Sequence, residues 1–147
     1  MRSAELTQGR VFILRLETGE VLHEVVEDFA RKNGIGRALI TAVGGVGNGS
    51  VMTVGPSISQ NGKITPMFHT LKAPHELTAV GTIFPDESGN PIIHMHGSAG
   101  REGGSVTGCL RNGMIVWLVM EVTITELLGN GPVRVTDDNG LKILRID

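Results

Sequence analysis

The sequence has few of the residues that mark several large classes of protein. It contains one cysteine in 147 residues, so no disulfide can form within the chain, and we expect a reducing compartment, the cytoplasm. Aromatic residues make up 3%, with one tryptophan and no tyrosine, which disfavours a stacking surface for single-stranded nucleic acid. The net charge is −2, so no basic excess predicts a nucleic-acid backbone as partner.

Long apolar runs are missing as well. No stretch approaches the ~20 apolar residues that span a bilayer, so we expect no membrane partner. The opening segment, MRSAELTQGR, lacks the apolar core of a signal peptide. The composition, with 40% hydrophobic and 19% charged residues, fits one globular domain over residues 1–147.

Apolar periodicity predicts one helix among many strands. Residues 20–32 place apolar side chains at helical spacing, with Thr18 as the expected N-cap and Gly34 just past the C-terminal end. Runs such as RVFILRL, RALITAVGGV, HELTAVGTIF and PIIHMHG predict strands. PDESGN and RNG indicate turns between successive strands, and the tail predicts two more short strands. The expected fold class is α+β, a mostly antiparallel sheet with one main helix packed on it.

Two further segments bear on ligands and assembly. GGVGNGS has no G-K-[ST] end, so a tight turn is favoured over a phosphate-binding loop. WLVMEVTI is apolar on both faces of a strand apart from Glu121. Such a strand in a small domain indicates that one face is covered by a second copy of the chain, which predicts a homo-oligomer.

The stretch HMHGSAGREGGSVTGC carries metal-binding chemistry. His94 and His96 point to the same side of a strand, because strand side chains alternate. If residues 102–103 form the turn, antiparallel pairing places His96 opposite Cys109 and His94 opposite Arg111. Two imidazoles and a thiolate would then converge as the ligand set of zinc or another divalent transition metal.

Other interpretations of this stretch stay open. A glycine bulge would turn Cys109 to the opposite face, which would leave two ordinary histidines and a buried thiol. His69 and His75 flank TLKAP and are alternatives for the third ligand. His23 lies on the predicted helix, where we expect a surface residue.

Three charged residues are candidates for catalytic roles beside the metal. Glu76 and Glu121 lie in apolar strands, where a buried carboxylate needs a partner and could move a proton. The alternative for each glutamate is a salt bridge or a solvent-facing position. Arg111 could hold an anionic group of a small-molecule substrate.

The order of these segments resembles a known family. GRVFILRLETGEVLHEVVEDFARKNGIGRALITAVGGVGNGSV, followed by HELTAVGTIF, PIIHMHG and GGSVTGCLRNGMIVWLVMEV, resembles the plants and prokaryotes conserved (PPC) domain over residues 9–122. The resemblance implies an α+β homotrimer of the stand-alone prokaryotic type. The family fold is similar to that of acetolactate decarboxylase, a zinc enzyme, and this analogy assigns no reaction.

The resemblance also bears on the site. Many prokaryotic PPC domains carry an H-x-H strand and a later G-G-H segment, whose histidines form a metal site. His94 and His96 match the first part, whereas Thr107-Gly108-Cys109 stands at the second, so Cys109 either replaces the third histidine or marks a weakened site. Plant members act in transcription regulation through attached AT-hooks, which bind DNA. No R-G-R-P core occurs in this sequence, so DNA as a partner is implied by family analogy alone.

Three functions follow from these observations. The residues favour a metal-dependent site that acts on a small molecule. The family alone implies a DNA-associated regulatory module. A scaffold, whose purpose is the trimer itself, is the third.

Overall fold

The computed structural model describes residues 1–58, 64–111, 113–138 and 140–146. These ranges contain ten strands and one helix. In chain order they are β1 (Thr7–Glu17), α1 (Leu22–Lys32), β2 (Ala38–Val46), β3 (Val51–Ile58), β4 (Ile64–Thr70), β5 (His75–Pro85), β6 (Pro91–Arg101), β7 (Gly104–Cys109), β8 (Val116–Leu128), β9 (Val133–Thr136) and β10 (Lys142–Arg145). No helix in the described part of the chain has the length and apolar character of a membrane span.

Eight strands form one antiparallel sheet in the order β1-β8-β2-β5-β6-β7-β3-β4. β9 and β10 form a separate antiparallel pair, as the tail of the sequence predicts. An isolated parallel bridge joins Arg134 on β9 to Asp86, immediately after β5. The predicted α+β class with a largely antiparallel sheet and one main helix is confirmed.

One predicted turn is confirmed and one is wrong. PDESGN does join paired strands β5 and β6, and its Asp86 carboxylate accepts hydrogen bonds from the backbone N–H groups of Ser88 and Asn90. RNG does not join neighbours, because β7 lies between β6 and β3 whereas β8 lies between β1 and β2. Leu110 and Met114 on either side of RNG are buried in the core. Residue 112 of RNG is outside the described ranges.

The helix begins later than the sequence suggests. Its N-cap is Val21, which makes no side-chain capping bond, so the prediction of Thr18 as N-cap is wrong. The Thr18 hydroxyl instead donates to the carbonyl of Leu118 at 3.1 Å. A long-range contact thus replaces the local cap, and the helix start is fixed by packing of Leu22 in the core.

The helix ends as predicted, at a residue with a left-handed backbone. Gly34 has φ = 66°, which glycine adopts without steric cost. The N–H groups of Gly34 and Ile35 donate to the carbonyls of Arg31 and Ala30, the pattern of a Schellman motif.

Strand alternation gives the large sheet two different faces. We call the face that packs with α1 in one hydrophobic core the covered face; it includes Ile40, Leu77, Ile83, Met95, Met120, Val122 and Ile124. We call the opposite side the exposed face. One row of directly paired residues crosses it in the order Ile13, Thr123, Thr41, Val80, His96, Cys109, Thr53 and Phe68.

Candidate metal centre

A tight hairpin between β6 and β7 sets the register of the candidate ligands. Glu102 and Gly103 form its two-residue turn with φ values of 52° and 80°, the positive values that a type I′ turn requires. The predicted turn is therefore confirmed. Counting back from it pairs His96 directly with Cys109, so both side chains lie on the exposed face.

Three ligand atoms converge at this hairpin. One ligand atom each from His94, His96 and Cys109 lies within 4.8 Å of the other two. The Nε2 atoms of the two histidines are 3.1 Å apart. In a tetrahedral zinc site with Zn–N bonds of about 2.0–2.1 Å, two nitrogens lie about 3.3 Å apart, so the present spacing needs little change. The donor set and its convergence therefore fit a transition metal.

The charge state of His94 also suits a ligand. Burial, together with the smaller effects of the nearby charges of Arg134, Arg111 and His96, lowers the pKa of His94 to about 4. The imidazole is therefore neutral at pH 7. A metal binds the neutral ring, so no proton has to be displaced from His94 before binding.

The outer nitrogen of His94 faces an unusual neighbour. Arg134 Nη1 lies 3.4 Å from His94 Nδ1, and a guanidinium can only donate. A metal-bound histidine usually donates its second N–H to an acceptor. If His94 held a metal through Nε2, its neutral ring would carry the proton on Nδ1, and the Arg134 guanidinium would then face a donor at that atom.

Glycine lets the strands around Cys109 approach each other. A Cβ atom built on Gly108 would lie 2.3 Å from the carbonyl oxygen of Thr53 on β3. The β7–β3 pairing at Thr53 and Cys109 thus depends on a residue without a side chain at position 108. Gly108 belongs to the T-G-C segment and so has a structural reason to be glycine.

The other histidines lie apart from this cluster. His69 is exposed on β4, and His75 on β5 has its Nδ1 2.8 Å from the carbonyl oxygen of Ala73. Neither is in the one group of three or more metal-binding side chains found among the described residues. The expectation that His23 is a surface residue is wrong: it is half-buried, and its Nδ1 has no hydrogen-bond partner in the described chain.

The two candidate acids do not reach the cluster within one chain. Glu76 and Glu121 are both exposed in the single chain, so the alternative of a solvent-facing position applies to each. Strand alternation directs them outward, Glu76 opposite Gly100 and Glu121 opposite Arg15. Glu76 is four positions along the ladder from the His96 pair, or about 13 Å, and Glu121 is three strands from β6, or about 14 Å.

The two arginines are closer. The β6–β7 ladder ends at His96 and Cys109, so Arg111 lies just beyond β7 and is not a ladder partner of His94. Its charge nevertheless lowers the pKa of His94, and Arg111 lines the same cavity as Arg134, which contacts His94. The sequence did not identify Arg134 as a neighbour of the site, because VRV in a short strand predicts a solvent-facing arginine. Its position depends on the docking of β9 beside β5.

Comparisons with known proteins agree with this fold. The family model of the Plants and Prokaryotes Conserved (PCC) domain matches residues 3–128. None of the curated proteins matches the sequence. A plant- and prokaryote-conserved (PPC) protein from Pyrococcus horikoshii is similar, with 27% identity, a TM-score of 0.83, and coverage of 99% of this chain and 97% of the other.

Two further solved structures are informative. A metal-containing protein from Archaeoglobus fulgidus is 28% identical, with a TM-score of 0.83 and coverage of 100% of both chains. A proposed DNA-binding protein from Bacteroides thetaiotaomicron is 16% identical, with a TM-score of 0.75 and coverage of 96% of this chain and 97% of the other. At that lower identity the likeness shows a common fold alone.

Proposed function

The chain belongs to the Plants and Prokaryotes Conserved (PCC) domain family, and from that premise we propose that it holds zinc or another divalent transition metal and acts on a small molecule. The ligands are His94, His96 and Cys109. The observation that carries the proposal is the convergence of their three ligand atoms within 4.8 Å. The metal-containing relative from Archaeoglobus fulgidus gives additional support.

The arrangement is suited to a catalytic rather than a purely structural metal. Three protein ligands would leave a tetrahedral ion one further position, and an ion held in that way would supply a Lewis acid. A groove of about 500 Å³ on the exposed face contains Thr41, Val80 and His96 among its lining residues. Its volume lies within the range of small-molecule sites, so a substrate fits beside the cluster.

The three charged residues with candidate catalytic roles differ in their distance from the metal cluster. Arg111 lies near His94 and can hold an anionic group of the substrate. Glu76 and Glu121 are too far along and across the sheet to act within the same chain. Either can move a proton at this site only if a neighbouring copy of the chain brings it there.

A homotrimer is part of the proposal. The exposed face carries apolar side chains with large exposed fractions, including Ile13 at 71%, Val80 at 56% and Val43 at 54%. Large apolar side chains exposed on one face of a sheet favour an interaction site there. Self-association over this face would place the metal cluster beside a subunit boundary.

Light scattering after size exclusion tests the assembly. The wild-type protein is expected at three chain masses, and Val43→Asp is expected to shift it towards one. Ser88→Asp, in the β5–β6 turn, is the control and keeps the wild-type mass. A wild-type monomer at working concentration contradicts the trimer.

Metal content tests the central proposal. The protein is purified without a histidine tag or chelator, reconstituted with zinc, desalted and analysed by inductively coupled plasma mass spectrometry. We expect about one metal per chain, lost in His94→Ala, His96→Ala and Cys109→Ser. His69→Ala is the matched control and keeps its metal. Equal metal in the wild type and all three ligand variants contradicts the site, and loss in His69→Ala moves the third ligand to β4.

A DNA-associated module is the second candidate, because plant members of the family and the proposed DNA-binding neighbour point to it. Its test is a mobility-shift titration at two salt concentrations with A/T-rich and G/C-rich duplexes. Binding that prefers one sequence and survives physiological salt supports this candidate. Binding without sequence preference that disappears with modest salt counts against it.

A further inference from the structure

Arg134 is a buried cation whose hydrogen-bond partners in the described part of the chain are neutral groups. Its residue is 4% exposed. Its guanidinium donates to the Thr82 hydroxyl at 2.8 Å and approaches the Ile92 carbonyl and His94 Nδ1, each at 3.4 Å. It also lies over the Phe84 ring, 5.7 Å from the centroid. A guanidinium has five N–H donors, so these acceptors leave two of them without a partner in the described chain.

The charge of Arg134 is not balanced by a carboxylate within the described ranges. None of the ion pairs among the described residues includes Arg134. The pKa of Arg134 is lowered first by burial and then by the charge of Arg111, while Cys109 acts in the opposite direction. A buried charge is costly unless it is paired. The protein therefore maintains a cation that a counter-ion would stabilise.

The pair formed by Arg10 and Glu126 gives the contrasting case. Glu126 is almost fully buried, and Arg10 contacts its two carboxylate oxygens at 2.7 Å each through Nε and Nη2. At that position the fold supplies a bidentate partner from its own chain. The described residues supply no such partner to Arg134, although Arg134 is the more buried of the two arginines.

A cavity lies beside the unbalanced guanidinium. Its volume is about 190 Å³. It opens beside the first half of β6. The β6–β7 ladder covers only the second half of β6, from His96 to Arg101. The lining residues are His23, Glu27, Ile92, Ile93, Arg111, Arg134 and Lys142.

The polar groups of the cavity favour an anion. Arg111, Arg134 and Lys142 contribute three positive charges against the one carboxylate of Glu27. That carboxylate is already occupied, because its Oε1 accepts the N–H of Ile93 at 2.9 Å. The half-buried His23 adds an Nδ1 atom without a partner in the described chain. An unpartnered imidazole nitrogen from α1 and cationic side chains from β9, β10 and the segment after β7 thus meet at one small space.

We propose that this cavity binds a small oxyanion, a carboxylate or phosphate group, with Arg134 as its principal partner and Arg111 and Lys142 as secondary ones. The volume is below the range of sites that enclose a whole cofactor, so the cavity takes a single small group. An anion there also gives the Arg134 guanidinium a partner away from His94. The inference rests on the proposed function in one respect, that the bound anionic group belongs to a substrate.

Isothermal titration calorimetry tests the cavity on protein that has been stripped of metal with a chelator and then desalted, so a failure here is separate from a failure of the metal site. The probes are inorganic phosphate and acetate, at constant ionic strength set with chloride. One charge-assisted bond is worth about 1.5–3 kcal/mol, so we expect Arg134→Met to bind the preferred probe at least tenfold more weakly. Arg111→Gln is expected to weaken it severalfold.

The controls separate binding from folding. Arg31→Met removes an exposed helix arginine that pairs with Asp28, and it keeps the wild-type affinity within about twofold. Arg134→Met is expected to keep or raise the Tm in probe-free buffer, because it removes a buried unpaired charge. If it does not fold, Arg111→Gln and Lys142→Gln carry the test, since both side chains are exposed.

The outcomes decide between ligand sources. Tighter binding of phosphate indicates a phosphate ester as the natural ligand, and tighter binding of acetate indicates a carboxylate. No binding of either probe by the wild type overturns the proposal. Equal binding by the wild type, Arg134→Met and Arg111→Gln overturns it as well, because the anion then binds elsewhere.

Discussion

The two faces of the large sheet have the same strands but different chemistry. On the covered face the side chains are almost entirely apolar and pack with α1. On the exposed face His94, His96 and Cys109 lie among threonines and exposed valines. Because the faces alternate along each strand, a site residue and a core residue are sequence neighbours. We therefore expect a substitution on the covered face to lower stability, whereas a substitution one position away, on the exposed face, lowers metal binding.

The largest expected effect is on the covered face. Ile124 on β8 is fully buried, and Ile124→Ala removes its contacts and leaves a cavity. We expect the free energy of unfolding to fall by about 2–5 kcal/mol. The same change at exposed Ile143 on β10 is expected to stay within about 0.5 kcal/mol. Urea unfolding measures both, and equal losses contradict the assignment of the core.

The second largest effect is expected at Gly108, where β7 and β3 approach each other closely. Gly108→Ala introduces a Cβ that meets the Thr53 carbonyl, so β7 and β3 must separate. Overpacking of this kind costs about 1–3 kcal/mol. We also expect weaker metal binding, because Cys109 moves with its strand. Gly103→Asn in the exposed turn tolerates a positive φ and is the control. A variant with wild-type stability and metal affinity contradicts the close approach.

The pH dependence of stability tests the surroundings of His94. The folded pKa of about 4 lies below the ordinary value of 6.5, so between these values the unfolded chain binds a proton that the folded chain does not. Stability therefore falls as the pH drops from about 6.5 to about 4. Allowing for solvent screening of this partly exposed ring, His94 accounts for about 1–2 kcal/mol.

His94→Gln removes this titration. In metal-free protein the variant is expected to lose less stability than the wild type across that pH window. His69→Gln, at an exposed strand position, should follow the wild type. Identical pH profiles for the wild type and His94→Gln contradict the depressed pKa.

The smallest expected effect is on the exposed face. His96 is exposed, and His96→Ala removes few packing contacts. In metal-free protein we expect the free energy of unfolding to change by no more than about 0.5 kcal/mol. A loss comparable to that of Ile124→Ala would mean that the ring of His96 is part of the core, and the distinction between the two faces would fail at this position.

The sequence predicted what depends on local pattern. Helical spacing identified α1 and its end at Gly34, and the positive-φ turn at Glu102 and Gly103 fixed the pairing of His96 with Cys109. These features follow from residues within one element or one hairpin. Local chemistry decides them before any long-range packing.

Features that depend on long-range packing were missed. Thr18 bonds to a carbonyl one hundred residues away and does not cap the helix. His23 is half-buried against the β6 edge, which its helix position alone did not reveal. Arg134 is buried because β9 docks beside β5. An alternating V-R-V pattern gives no sign of such docking, so the cavity beside Arg134 could not be predicted.

X-ray absorption at the zinc edge of the reconstituted protein tests the central claim most directly. The account predicts a first coordination shell with one sulfur at about 2.3 Å and nitrogen ligands at about 2.0–2.1 Å. The sulfur contribution should disappear in Cys109→Ser. A shell of nitrogen and oxygen alone in the wild type would contradict the role of Cys109 and with it the His94, His96 and Cys109 site.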